Sequence, residues 1–131
     1  MIEGSCHCGK ARWSFKGPVE SATACNCTVC RRYGVLWIYG HEGEEIAVTG
    51  PTEVYTRGQA NLGFHFCRTC GCVVAWRANG TGPDGRRRIA VNLRLADDPD
   101  QVGALLIDHF DGLHSFEDLP RDGKTVKDMW F

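Results

Sequence analysis

Cys25-Asn26-Cys27-Thr28-Val29-Cys30 sets three thiols into six consecutive residues, at a Cys-x-Cys-x-x-Cys spacing. On extended backbone, side chains two residues apart face the same way. A tight turn after Cys27 swings the third sulfur back toward the first two. Three sulfurs can then sit about 2.3 Å from one zinc ion, with one tetrahedral position left over. Catalytic zinc is usually held by three protein ligands and such a position, whereas structural zinc is fully enclosed.

Outward from this stretch the chain reads as short strands. Arg31-Arg32-Tyr33-Gly34 closes one turn of helix, and Val35-Leu36-Trp37-Ile38-Tyr39 is a β-branched and aromatic run, a buried strand. Upstream, residues 11–15 alternate as a half-buried strand does, and Gly17-Pro18 ends it. Downstream, strands at 45–49 and 53–56 flank the turn signal Gly50-Pro51. Residues 61–66 run into Cys67-Arg68-Thr69-Cys70-Gly71, a zinc-knuckle pattern, and residues 72–76 leave it as a strand. A turn-rich loop at 79–85 joins this hairpin to a strand at 88–93. Asp97 to Gln101 can open a short helix through Leu106, and residues 108–131 have no clear period. The expectation is a mainly β fold of short antiparallel strands with little helix, one domain over residues 1–131, and no repeats.

At 131 residues the chain is long enough to bury roughly two-thirds of its unfolded surface. A net charge of −1 gives no general reason to expect nucleic acid or an anionic membrane as partner. No window approaches 18 consecutive apolar residues, so no membrane span is expected. The first residues carry no charged and apolar leader, so a cytoplasmic, reducing location is the expectation. In that setting the eight cysteines, at 6, 8, 25, 27, 30, 67, 70 and 72, point to metal rather than disulfides. Adjacent Cys-x-Cys pairs are also strained disulfide partners.

Cys6 and Cys8 have the same-face spacing again, and Gly4 and Gly9 bracket them, which suggests backbone bending tightly around an ion. Neither Cys6/Cys8 nor Cys67/Cys70 completes a zinc site alone. Together they offer four thiolates that would staple the N-terminal strand to the central hairpin. Zinc-finger peptides gain about 10–16 kcal/mol from such binding, so this site can decide whether the domain folds. One pair with water or histidine is the alternative, and a four-sulfur site also suits iron. For Cys25, Cys27 and Cys30 a fourth ligand could come from His41, His65, His109, His114 or Cys72, which would close the site. An open thiolate-rich zinc polarises a carbonyl or holds an added thiol as thiolate. Thiolate is the nucleophilic form, so the site suits carbon–sulfur bond chemistry. Lys10, Arg12, Arg31, Arg32 and Arg68 can offset the excess negative charge, and Arg31 and Arg32 can receive a substrate carboxylate in bidentate fashion.

Gly4-Ser5-Cys6-His7-Cys8-Gly9, the Cys25–Arg32 stretch and Phe66-Cys67-Arg68-Thr69-Cys70-Gly71 together resemble the glutathione-dependent formaldehyde-activating enzyme and centromere protein V family. The resemblance covers roughly residues 2–110, and Arg94 to Asp97 after Val91-Asn92 looks like the family's late strand and acidic turn. It implies a β-tent type fold and two zinc ions. Cys6, Cys8, Cys67 and Cys70 match its structural ligands, and Cys25, Cys27 and Cys30 its catalytic ones. It further implies a carbon–sulfur lyase that joins glutathione and formaldehyde into S-hydroxymethylglutathione. Cys72 departs from the pattern, where a small hydroxyl residue is expected, and the C-terminal tail matches nothing assignable.

Other features read as ordinary. His7 points away from any ion held by its neighbours. Trp13, Phe15, Trp37 and Trp76 read as core. Arg86-Arg87-Arg88 reads as a solvated hairpin end. Two functions remain in contention: a zinc enzyme acting between a small thiol and carbon, and a zinc-stabilised binding module without chemistry. A fourth protein ligand at the second site would favour the latter.

Overall fold

The structure is a computed structural model that describes residues 1–58 and 61–129. Strands β1 (Ile2–Ser5), β2 (Arg12–Phe15) and β5 (Ile46–Thr49) form a three-stranded antiparallel sheet. The other strands form an eight-stranded sheet: β3 (Ser21–Cys25), β4 (Trp37–His41), β6 (Thr52–Thr56), β7 (Leu62–Cys67), β8 (Val73–Ala78), β9 (Arg88–Asn92), β10 (Leu106–Asp111) and β11 (Glu117–Leu119). Its order is β11-β10-β3-β4-β9-β8-β7-β6. Helix is confined to α1 (Cys30–Tyr33), α2 (Pro99–Val102) and two 3-10 turns, Leu93–Leu95 and Val126–Met129. The mainly β expectation is met. No helix among the described residues is long and apolar enough to cross a membrane.

The large sheet buries apolar side chains on both faces, because successive residues of a strand alternate sides. Ile38, Val74, Ile89 and Val91 join Ile2, Trp13, Phe15 and Ile46 of the small sheet in the main core. Full burial of an aliphatic side chain of this size contributes roughly 1.5–3 kcal/mol. On the opposite face, Trp37, Ala90, Val73 and Phe64 pack around Cys27 and Cys30. Along β4 and β9 the division falls residue by residue, with Trp37 and Ala90 on one side and Ile38, Ile89 and Val91 on the other.

Asn92 is the one buried polar side chain among the described residues. Its Oδ1 accepts from the N–H of Leu36 at 3.3 Å and of Arg94 at 3.2 Å, and its Nδ2 donates to the Val73 carbonyl at 2.9 Å. One amide thus satisfies the backbone where β4 begins, where β8 begins and where β9 ends.

Three local expectations are corrected. The helix expected through Leu106 stops at Val102, because Leu106 already pairs with Ser21 as the start of β10. The stretch from residue 108, read as having no clear period, completes β10 and adds β11. Its alternation is obscured by charged and aromatic residues, and it is held in parallel by β3, from Leu106↔Ser21 to Phe110↔Cys25. Gly4, read as part of a bend around an ion, lies within β1 opposite Trp13. A Cβ there would meet the indole at 2.3 Å, so its lack of side chain lets the ring lie across the strand.

Candidate metal centres

Cys6 and Cys8 lie on the tight turn between β1 and β2, not on a strand face as their spacing suggests. The Gly9 N–H donates to the Cys6 carbonyl at 2.9 Å, and Gly9 holds φ +81°. The β7–β8 turn repeats the device: the Gly71 N–H donates to the Cys67 carbonyl at 2.8 Å, again with φ +81°. A left-handed glycine closes both loops behind their second cysteine, a conformation that residues with a Cβ avoid. Lys10 of the first loop donates to Thr69 of the second at 3.3 Å.

The two turns bring four sulfurs together. Cys6 and Cys8 are 3.6 Å apart, Cys8 and Cys67 are 3.6 Å apart, and all four, with Cys70, lie within 4.8 Å of one another. Four sulfurs around one zinc at about 2.3 Å define tetrahedron edges of about 3.8 Å. The donor set therefore fits a closed tetrathiolate ion. Backbone N–H groups already favour the anionic form: those of Cys72 and Cys8 hold the Cys70 thiol down to about 5, and those of Cys70 and Thr69 lower Cys67. The group joins the small sheet to the large one. Cys72 lies beside it, its thiol against Cys70 and pushed up by burial. His7 is exposed.

The second group is built where β3 turns into α1. Cys25 ends the strand, Cys27 sits in the turn and Cys30 opens the helix. The turn points its amides inward: the Cys27 N–H faces the Cys25 sulfur at 3.5 Å and the Cys30 N–H the Cys27 sulfur at 3.3 Å. The Trp37 indole N–H donates to the Cys30 sulfur at 3.3 Å. The three sulfurs lie within 4.8 Å of one another. Without an ion, a hydrogen bond from Cys30 and the N–H groups of Cys27 and Gly112 hold Cys25 down to about 5. Cys30 is pushed up, chiefly by that bond to Cys25 and by burial.

No fourth side chain joins this group among the described residues. His65 hydrogen-bonds Thr52 at 3.1 Å, and His109 faces Asp122 at 3.1 Å. His114 is exposed, and Cys72 belongs beside the other cluster. His41 groups with Glu44 and Glu45. There Arg86 bridges to Glu44 at 2.5 Å and lies 3.8 Å from Glu45, so the carboxylates already have a cation.

Residues between and beyond the cysteines, which the spacing left without a role, lock the turn. Asn26 donates to Asp111 at 3.1 Å and accepts from the Leu113 N–H at 3.0 Å. Thr28 accepts from Arg57 at 2.8 Å. Gly112 lies so close that a Cβ would stand 2.7 Å from the Cys25 sulfur. The β10–β11 turn therefore forms one wall of the site.

The three cysteines line a cavity of about 560 Å³ with Trp37, Tyr39, Phe64, Trp76, Phe110 and Phe116. Trp13 and Phe15 are core as expected, whereas Trp37 and Trp76 belong also to this wall. Among the described residues Arg57 and Asn61 are its strongly polar members. Arg31 and Arg32 are not on the lining; Arg32 donates to the Thr28 carbonyl at 2.8 Å, bracing the turn from outside. At the hairpin end, Arg86 pairs with Glu44, Arg87 donates to the Ala78 carbonyl at 2.7 Å, and Arg88 lies over Tyr39 at 5.9 Å.

A Rhodobacter sphaeroides protein of known crystal structure, a structural-genomics target, shares the fold with a TM-score of 0.59 at 23% identity. The likeness covers 76% of this chain and 93% of that one. A search of curated proteins gives no significant match. The family model of the glutathione-dependent formaldehyde-activating enzyme matches residues 1–106, a span that holds all eight cysteines and ends where β10 begins. This chain belongs to the glutathione-dependent formaldehyde-activating enzyme family.

Proposed function

We propose that this chain is a zinc enzyme of the carbon–sulfur lyase type, making and breaking the bond between a small-molecule thiol and an aldehyde carbon. Glutathione and formaldehyde are the pair in the family's name. The observation that carries the proposal is the convergence of three cysteine sulfurs on the wall of a cavity, with no fourth ligand among the described residues. In this reading Cys25, Cys27 and Cys30 hold the reactive zinc, and Cys6, Cys8, Cys67 and Cys70 hold a second, closed one. Zinc bound by three thiolates supplies Lewis acidity and keeps an added thiol in its nucleophilic form. The chain supplies the rest. The N–H groups of Trp37, Cys27 and Cys30 aim at the ligand sulfurs and spread their charge. The aromatic walls exclude water, and Arg57 is placed to receive a carboxylate where Arg31 and Arg32 are not. Eight unpaired thiols suit a reducing, cytoplasmic setting.

Free thiol consumption on adding formaldehyde to glutathione, with and without enzyme, tests the proposal. Cys27→Ser should lose the rate enhancement and one zinc while its circular dichroism stays that of the parent. A variant that keeps both zinc ions and full activity would sink the proposal.

A further inference from the structure

The cavity is far larger and more apolar than formaldehyde, a single carbon and oxygen, requires. Tyr39, Ala90, Trp76 and Phe64 are register partners in one row across β4, β9, β8 and β7. Between the two large rings stands fully buried Ala90, and the Tyr39 and Trp76 rings lie 6.0 Å apart above it. The row thus offers a continuous aromatic platform, whose Tyr39 and Trp76 rings close over Ala90. Opposite, Phe116 packs edge-on against Phe110 at 5.0 Å, yet remains 75% exposed. It is the one non-glycine residue with positive φ, +57°, among the described residues. Its turn is fully determined: Asp111 accepts from the N–H groups of His114 and Ser115 and from the Ser115 hydroxyl, and the Phe116 N–H donates to the Asp111 carbonyl at 2.7 Å. Unfavourable backbone that the surroundings enforce concentrates at ligand-binding sites. An exposed ring held this way at a cavity rim presents surface to something that enters. Polar partners are scarce, with Arg57 the one cation on the lining among the described residues. A volume of about 560 Å³ falls within the range of roughly 300–1,000 Å³ that encloses ligands of drug size.

We propose that the carbon half of the adduct is a bulky aromatic group, seated between the Tyr39–Trp76–Phe64 row and Phe116, with Arg57 taking one anionic group of the thiol half. This rests on the carbon–sulfur reading above. The thiolate sulfur attacks the carbon of an aryl-substituted aldehyde, the C=O electron pair moves to oxygen, and oxygen takes one proton. The product is a hemithioacetal, nothing is expelled, and the reverse breaks the same bond.

The test compares S-benzylglutathione with S-methylglutathione, stable thioethers that differ only in the carbon half. Binding to the zinc-loaded full chain is read by calorimetry and tryptophan fluorescence. S-benzylglutathione should bind at least about tenfold more tightly, as aromatic burial against aromatic walls requires. Phe116→Gly removes the ring and relieves the positive φ without emptying a core position, and it should bring the ratio to within about threefold. Trp76→Ala should do the same. Arg57→Gln should weaken both ligands alike. In parallel, the thiol-consumption rate is measured with phenylacetaldehyde and with formaldehyde. Equal affinity for the two thioethers, or a preference that survives both aromatic substitutions, overturns the seat even if the rates are enhanced. A benzyl preference without rate enhancement for either aldehyde upholds the seat and overturns the carbon–sulfur reading instead.

Discussion

A methyl group added at Gly112 would stand 2.7 Å from the Cys25 sulfur and 2.8 Å from the Cys27 Cβ, so Gly112→Ala must push the turn away from the three-cysteine group. Supporting residues of metal sites typically control affinity by 10–100-fold. Gly112→Ala is therefore expected to weaken the accessible zinc at least about tenfold, read by competition with a chromophoric chelator, while the melting temperature stays near that of the parent. The neighbouring Asp111 gives a pH signature. The Ser115 N–H, the Asn26 amide, the His114 N–H and the Ser115 hydroxyl hold its carboxyl well below the usual carboxylate range. A carboxyl depressed on folding contributes its stabilisation above its unfolded value of about 3.9, and loses it as pH falls below that. Asp111→Asn cannot titrate, so its melting temperature should decline less than that of the parent between pH 5 and 3, by roughly the range where unfolded aspartate protonates. Parallel declines would remove Asp111 from this role. Neither residue stood out in the sequence, because a glycine and an aspartate in a turn are ordinary until the chain is folded against Cys25.

At the scale of elements, the cysteine spacings were legible and the backbone beneath them was only partly so. Same-face spacing on a strand suggested how Cys6 and Cys8 would meet, but a left-handed Gly9 gathers them on a turn instead. Strands β5 to β9 were visible because β-branched and aromatic residues recur between turn residues. β10 and β11 were not, since what makes β10 a strand is parallel pairing with β3, some eighty residues away in sequence, and β11 in turn only pairs antiparallel with β10. That same pairing supplies Phe110, Gly112 and Phe116 to the site, so the wall most distant in sequence was the one sequence reading missed. The tryptophans were placed in the right elements, but only the alternation of Trp37 and Ile38 between two buried faces reveals which one faces a cavity. Two substitutions test the joints between elements. Asn92→Ala leaves the Val73 carbonyl and the Leu36 N–H unpaired in the interior, and should cost about 2–3 kcal/mol in urea unfolding of the zinc-loaded protein. Cys67→Ser opens the staple between the two sheets. Loss of a structural zinc forfeits binding energy on the scale of about 10 kcal/mol, more than a domain's usual margin, so this variant should lack a cooperative melting transition.

Across the whole molecule, two cysteine groups that could each hold a metal ion lie in different places, and the proposed reading divides the work between them accordingly. The four-cysteine group sits between the sheets, where the chain's two turns close around it, and the three-cysteine group sits on the outer face of the large sheet, against a cavity. The first resembles the closed sets that fold small domains, and in the proposed reading the second would keep a coordination position for a ligand from solution. A binding module would need neither the missing fourth ligand nor a cavity running up to the sulfurs. The most direct measurement is zinc content per chain in protein purified without chelator, repeated after brief exposure to a mild one. The account predicts two zinc ions, one lost to the chelator without unfolding and one retained, with Cys27→Ser abolishing the labile ion alone. Two equally resistant ions, or a single ion bound by the four-cysteine group with none recoverable at Cys25, Cys27 and Cys30, would contradict it.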